Sequence, residues 1–162
     1  MIKIGLLKET KISSDKRVAL TPVQCRWIQK KYPQVQVVVQ HSNTRCFTDS
    51  EYLKVGVQVS DNLDGCDILI GIKEVLPQAL MIGKTYLFFS HTKKKQPHNR
   101  PLLRAIIENQ DTLVDFECFE HSDGQRIIGF GIFAGVVGAH NGMMAFGKRT
   151  GRYGLQRVYK HK

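Results

Sequence analysis

A chain of 162 residues, 42% hydrophobic and 23% charged, has the balance of one globular domain and is long enough to bury a core. No apolar run reaches the roughly 20 residues of a membrane helix, and the apolar stretch from Met1 to Leu7 is too short for a signal peptide. The formal charge of +10 is the sole support for a nucleic-acid binder, because no RNA-binding aromatic signature or helix-turn-helix pattern accompanies it. Four of the charges, Arg152, Arg157, Lys160 and Lys162, lie in the last eleven residues with no acid to balance them, and Lys93-Lys94-Lys95 supply half of the remainder. The expectation is a cytoplasmic protein with neither nucleic acid nor membrane as partner, whose basic charge suits an acidic small molecule. Cys25, Cys46, Cys66 and Cys118 are too scattered for a disulfide framework or a zinc site and read as ordinary thiols, most of them buried.

In chain order, residues 2–8 form an apolar run that predicts a buried strand. Thr21-Pro22-Val23-Gln24 predicts a helix start with a capping box, and Val23, Trp27 and Ile28 its buried face, ending at Tyr32-Pro33. Val35 to Gln40 is β-branched and predicts a second strand. Thr48-Asp49-Ser50-Glu51 repeats the capping pattern before a short helix that stops near Gly56. Asp67 to Gly71 and Thr85 to Phe89 predict strands, with a short helical turn at Pro77 between them. Pro101 opens a helix with Leu102, Leu103, Ile106 and Ile107 on one face. Thr112 to Phe119 and Arg126 to Ile128 predict strands about an Asp123-Gly124 hairpin turn. The Gly- and Ala-rich stretch from Gly129 to Gly147 predicts a closely packed helix, and the pattern stops after Gly151. Strands alternating with helices predict an α/β fold in a single domain: a doubly wound, mostly parallel sheet, Rossmann- or flavodoxin-like, with helices on both faces.

Such sheets bind ligands at the carboxyl ends of their strands. Lys73 and His91 each follow a predicted strand there. A partly desolvated lysine suits acid–base work, and histidine titrates near neutrality and passes protons. Each has a plainer reading, Lys73 as a surface lysine paired with Glu74 and His91 as a structural loop histidine. His140, in the small-residue segment, carries the same two readings. Arg17, between a polar loop and a capped helix, can hold a carboxylate in its planar fork or stand solvated. Gly129-Phe130-Gly131-Ile132-Phe133-Ala134-Gly135 fails the G-x-G-x-x-G spacing, because Ala134 stands at the third glycine position.

Lys8-Glu9, Lys16 to Pro22, Gly71-Ile72-Lys73-Glu74, Phe89-Ser90-His91-Thr92 and Val137 to Gly142 occur in this order and spacing. The set resembles the N-terminal domain shared by alanine dehydrogenase, proton-translocating transhydrogenase and lysine-forming saccharopine dehydrogenase, over about residues 1–151. His91-Thr92 followed at Gln96, Asp115-Phe116-Glu117, and Gly124-Gln125-Arg126 ahead of Phe130-Gly131 resemble the lysine-forming branch. That branch often carries two adjacent arginines where this chain has Gln125-Arg126.

The resemblance implies an acid–base pair of Lys73 and His91, modulated by Lys94 and Glu117. It implies substrate contacts from Arg17, Gln96, Arg126 and Phe130, and no metal. It implies an NAD-dependent amino-acid dehydrogenase, with NAD held mainly by a dinucleotide-binding domain that this chain lacks. Residues 1–151 are then the substrate-side domain, and residues 152–162 a basic tail, disordered or a truncation scar. The expected reaction is oxidative cleavage of saccharopine to lysine and 2-oxoglutarate, with the isolated chain inactive. Alanine dehydrogenase or transhydrogenase-type function is the alternative, and a non-catalytic module binding an acidic metabolite is a reading of another class. Apolar surface left by the missing domain makes a homodimer an expectation.

Overall fold

The computed structural model describes residues 1–10 and 15–156. It divides into two compact units, residues 1–126 and the chain from Ile127 onward.

The first unit is built on six strands: β1 (Ile2–Leu6), β2 (Val35–Gln40), β3 (Gln58–Ser60), β4 (Ile68–Lys73), β5 (Thr85–Phe89) and β6 (Thr112–Asp115). Every pairing is parallel, in the order β3-β2-β1-β4-β5-β6. The winding reverses between β1 and β4, which makes that position the switch point of the sheet. Both faces are covered, as successive residues of β2 show, because side chains alternate along a strand. Val38 joins a buried cluster with Leu69, Tyr86, Phe88 and, from α3 (Arg100–Glu108), Leu102 and Ile106. Val37 and Val39 join a second cluster with Leu6, Cys25 of α1 (Pro22–Lys31) and Tyr52 of α2 (Asp49–Lys54). The α/β, doubly wound parallel sheet expected from the alternation of elements is the fold observed.

Both predicted capping boxes form. Thr21 N–H donates to Gln24 Oε1 at 2.8 Å, and Thr48 N–H to Glu51 Oε2 at 2.6 Å. The buried face of α1 differs from the expectation. It carries Pro22 and Cys25 with half-buried Ile28, while Val23 and Trp27 are 71% and 54% exposed. Those two residues lie one turn apart on the opposite side, where the ammonium of Lys31 stands 4.5 Å from the Trp27 ring centre. In α3, Leu102 and Ile106 are buried, but Leu103 and Ile107, each one position further round the helix, face solvent. The cysteines divide evenly, Cys25 and Cys66 buried and Cys46 and Cys118 exposed, all four as free thiols. Burial pushes the Cys25 thiol up to about 12.

β3 was not foreseen, being three residues long. The strand expected through Phe119 ends at Asp115, where the chain turns into a single 3-10 turn, Phe116–Cys118. The expected hairpin shrinks to one antiparallel bridge, Glu120 to Arg126, closed by a turn whose Gly124 sits at φ +82°.

The second unit holds one long helix, α4 (Ile132–Thr150), capped at its end by Gly151 at φ +68°. It begins and ends three residues later than expected, and it is not closely packed. Its sole buried residue is Gly147, and around Gly135, Gly138 and Gly142 a Cβ would meet nothing within 4 Å among the described residues. Absence of a side chain permits close approach but does not supply the surface to approach. His140 donates from Nε2 to the Gln156 carbonyl at 3.0 Å. Residues 152–156 form no helix or strand, and the rest of the predicted tail, residues 157–162, lies outside the described residues.

Candidate functional site

Four strand ends of the first unit carry the titratable residues of the candidate site along one edge of the sheet. Lys73 closes β4 and pairs in register with Phe89 of β5, two residues before His91. Parallel pairing of adjacent strands therefore brings Lys73 and His91 to the same carboxyl edge.

Around Lys73 the chain gathers Glu9, Asp15 and Arg17. Glu9 follows β1 and accepts two backbone N–H groups at the end of β4, from Ile72 at 2.7 Å and Lys73 at 3.0 Å. Burial lifts the Glu9 carboxyl above the usual range, a rise that those two hydrogen bonds only partly offset. Arg17 forks onto Asp15, donating from Nε at 2.9 Å and from Nη2 at 2.5 Å. That hydrogen bonding holds the Asp15 carboxyl below its ordinary value, with a smaller electrostatic contribution from Lys73. Arg17 thus grips a carboxylate in the planar, bidentate manner expected of it, and the carboxylate is one from its own loop. Lys73, Glu9 and Glu74 line a cavity of about 310 Å³ that opens where the strand order reverses, bounded also by Asp61 and Asp64.

The second group is centred on Glu117. This carboxylate is 3% exposed and has three basic side chains as neighbours among the described residues: Lys94 Nζ at 3.0 Å, His91 Nδ1 at 3.1 Å and Arg126 Nη1 at 3.4 Å. Burial pulls the Glu117 carboxyl up, but Lys94 and His91 together outweigh it and leave it below the usual range. Lys94 Nζ also lies 3.2 Å from His91 Nδ1, so one imidazole nitrogen meets an ammonium and a carboxylate at once. The His91 ring stacks on Phe89, 6.4 Å between centres and 21° between planes. Its backbone is left-handed, at φ 57° and ψ 9°.

The fold therefore collects His91, Lys94, Glu117 and Arg126 into one cluster and Arg17 and Lys73 into another. Gln96 lines a separate cavity of about 350 Å³ with Thr92, Lys95 and Arg100. Phe130 belongs to the second unit, where it is 55% exposed and tilted against Phe133 at 6.2 Å. Sequence reasoning missed Glu9 and Asp15 as partners of Lys73 and Arg17. It also missed Ser90, Asn99 and Asp115, which are buried around the His91 turn. The available signal was a Ser and a Thr flanking a histidine at a strand end, a pattern that favours local side-chain-to-backbone bonding.

A sequence model of the family described as alanine dehydrogenase/PNT, N-terminal domain, matches residues 5–137. The chain belongs to this family.

Among similar proteins, alpha-aminoadipic semialdehyde synthase of Arabidopsis thaliana is 34% identical over 150 residues, 90% of this chain and 14% of that one. The mitochondrial alpha-aminoadipic semialdehyde synthase of Rattus norvegicus is 32% identical over 158 residues, 98% of this chain and 17% of that one. A saccharopine dehydrogenase of Yarrowia lipolytica, NAD(+)-dependent and L-lysine-forming by name, is 29% identical over 147 residues, 88% and 39% of the two chains. Among solved structures, an L-alanine dehydrogenase superposes with a TM-score of 0.62 at 18% identity, over 76% of this chain and 35% of that one. At that identity the likeness is one of fold. The chain spans 14% to 39% of the length of these relatives.

In this alanine dehydrogenase/PNT N-terminal domain the sequence holds no G-x-G-x-x-G spacing of a dinucleotide loop. The β1–α1 connection, residues 7–21, has no glycine to let a backbone approach a pyrophosphate. The glycines from Gly131 onward stand at or inside α4 rather than between a strand and a helix. No helix among the described residues is long and apolar enough to cross a membrane.

Proposed function

We propose that this domain is the substrate-binding and acid–base part of an NAD-dependent amino-acid dehydrogenase that cleaves saccharopine to lysine and 2-oxoglutarate. The observation that carries the reading is the register of β4 and β5, which sets Lys73 and His91 on one sheet edge, the Lys73 backbone against half-buried Glu9 and His91 beside buried Glu117. The names of the relatives, saccharopine dehydrogenase among them, support the substrate class. When bound, NAD would supply the hydride acceptor for oxidation of the amine-bearing carbon to an imine, to which water must add before the product amine departs. Those steps need one group to deprotonate the amine and another to move protons to and from the water adduct, and Lys73 and His91 divide them. Glu117 and Lys94, both beside His91 Nδ1, modulate that pair. Arg17 and Arg126 orient substrate carboxylates, with Arg17 exchanging Asp15 for a substrate carboxylate. Gln96 completes the substrate contacts of the first unit.

The dinucleotide is held by another domain, which forms the second wall of the site and is the first partner we assign. Without it the chain alone does not turn over saccharopine, and a homodimer is the second association we assign. Nucleic acid and membrane have no part in this reading. We assign a cytoplasmic address; fluorescence imaging of the tagged protein tests it against the mitochondrial address in the rat relative's name.

Calorimetric titration of the purified chain with saccharopine, lysine, 2-oxoglutarate, alanine and pyruvate tests the function. The expected result is selective saccharopine binding, weakened at least about tenfold by Lys73→Met with His91→Gln, as loss of charge-assisted contacts implies. Tighter binding of alanine or pyruvate would replace the reading with an alanine dehydrogenase, whose fold the structural neighbour shares. Binding untouched by the double substitution would move the site elsewhere. No binding at all would sink the claim that this domain recognises substrate by itself.

A further inference from the structure

Between the His91 turn and the Glu117 turn lies a buried polar cluster that the acid–base steps do not use. Ser90 is 0% exposed and Asp115 is buried. The Ser90 hydroxyl donates to Asp115 Oδ2 at 2.5 Å. A serine has one hydroxyl proton, so Thr92, whose Oγ1 is 2.8 Å from Ser90 Oγ, must donate its own hydroxyl to that oxygen. The Thr92 backbone N–H donates to the same oxygen at 3.1 Å, which fills its capacity. On the other side of the carboxylate, Asp115 Oδ1 accepts the Glu117 N–H at 2.9 Å and the Ser90 N–H at 3.4 Å. Asn99, also buried, donates from Nδ2 to the His91 carbonyl at 3.1 Å. A single carboxylate at the end of β6 therefore ties down the residue before His91, through a hydroxyl the residue after it, and the backbone of Glu117.

We propose that Asp115, acting through Ser90 and Thr92, is the positioning residue that holds the His91 imidazole against Glu117; its importance for catalysis rests on the reading of His91 as an acid–base group. The left-handed backbone of His91 supplies the reason. A non-glycine residue keeps that conformation where its surroundings over-determine it, and here the hydrogen bonds at positions 90 and 92 bracket it. Glu117 lies 26 residues away in sequence and reaches His91 because Asp115 joins its backbone to the same bracket. With the bracket cut, the turn relaxes, and the contacts of His91 with Glu117 and Lys94 loosen together. Packing against Phe89 alone fixes the plane of the ring but not its distance from the carboxylate.

The test is a thermodynamic cycle read by NMR on the whole chain, following the Glu117 carboxyl through a pH titration and assigning it by its loss in Glu117→Gln. The groups facing Glu117 are Lys94, His91 and Arg126. With Asp115 in place, His91→Gln is expected to strengthen Glu117 proton binding several-fold, because it removes a neighbour that holds the carboxyl below its usual range. In an Asp115→Asn background the same substitution is expected to change it little, since uncoupled neighbours contribute additively. Thr92→Val, on a half-buried side chain, is expected to uncouple in the same way, and Thr92→Ser, which keeps the hydroxyl, to restore the full effect. An equal effect of His91→Gln in all backgrounds overturns the proposal, as does Thr92→Ser behaving like Thr92→Val. If Asp115→Asn does not fold, the two Thr92 variants decide alone. No ligand enters the measurement, so loss of saccharopine binding would sink the functional reading and leave this result standing, and the reverse holds as well.

Discussion

Glu9, half-buried, and Glu117, buried, are two carboxyls on one sheet edge whose acidities move in opposite directions. Glu9 accepts two backbone N–H groups and feels Arg17 only as a smaller electrostatic pull, so burial dominates and its folded value lies above the ordinary 4.5. Between 4.5 and that raised value the native state binds more protons than the unfolded chain, and this residue's share of stability falls as pH rises. Glu117 meets Lys94 and His91, and its folded value lies below 4.5. Its contribution is present above the ordinary value and is lost as pH falls through the lowered one. Urea unfolding between about pH 3 and pH 6 should show the two signs in the variants. Glu117→Gln is expected to flatten the acid-side loss of stability and to cost about 1–3 kcal/mol at neutral pH. Glu9→Gln is expected to remove the opposite slope. Curves parallel to that of the unsubstituted protein would show that neither carboxyl is perturbed as described. Both residues were visible in sequence motifs, but their environments were not. Whether a carboxylate meets cations or backbone N–H groups depends on residues 63 or more positions away for Glu9, beyond the reach of local pattern.

At the scale of elements, periodicity read along the chain placed five of the six strands and the starts of two capped helices, because alternation and capping are local. The azimuth of a helix is less local. α1 offers two stripes, Val23 with Trp27 and Cys25 with Ile28, and the expected core face joined the two large residues of the first to Ile28 of the second. The sheet selects the second stripe, since small Cys25 fits flush against Val37 and Val39 whereas an indole would hold the helix away. Trp27→Gln is therefore expected to change unfolding free energy by less than about 0.5 kcal/mol, as at an ordinary surface site. Gly5→Ala, a far smaller change, is expected to cost about 1–3 kcal/mol through overpacking. A Cβ there would sit 2.8 Å from Leu69 Cδ2, 3.0 Å from Leu63 Cδ1 and 3.1 Å from Cys66 Sγ, in the middle of a central strand. Urea denaturation of both variants measures the contrast, and a larger loss for Trp27→Gln than for Gly5→Ala would reverse the assignment of the two faces.

For the whole molecule, what matters is where the buried apolar residues stop. Both hydrophobic clusters are drawn from residues 6–113, entirely inside the first unit. Beyond it, Ile127, Phe130, Ile132, Phe133, Val136, Met143 and Phe146 are each at least half exposed, far more contiguous apolar sequence than a solvated helix ordinarily shows. A Gly- and Ala-rich stretch could be read as helix from its composition, but its partner surface could not, because packing is a property of two elements and the stretch supplies one. Stability and exposed apolar surface should then be separable along the chain. A fragment ending at Arg126 keeps every strand, both clusters, and the His91, Lys94, Glu117 and Arg126 group. Such a fragment is expected to unfold cooperatively, with a midpoint within a few degrees of the whole chain when followed by circular dichroism. It is expected to lose most of the fluorescence that the whole chain induces in a dye sensitive to exposed apolar surface. A fragment that melts without a cooperative transition would mean that the sheet draws stability from the segment after Arg126. Dye binding equal to that of the whole chain would locate the exposed apolar surface on the sheet unit instead.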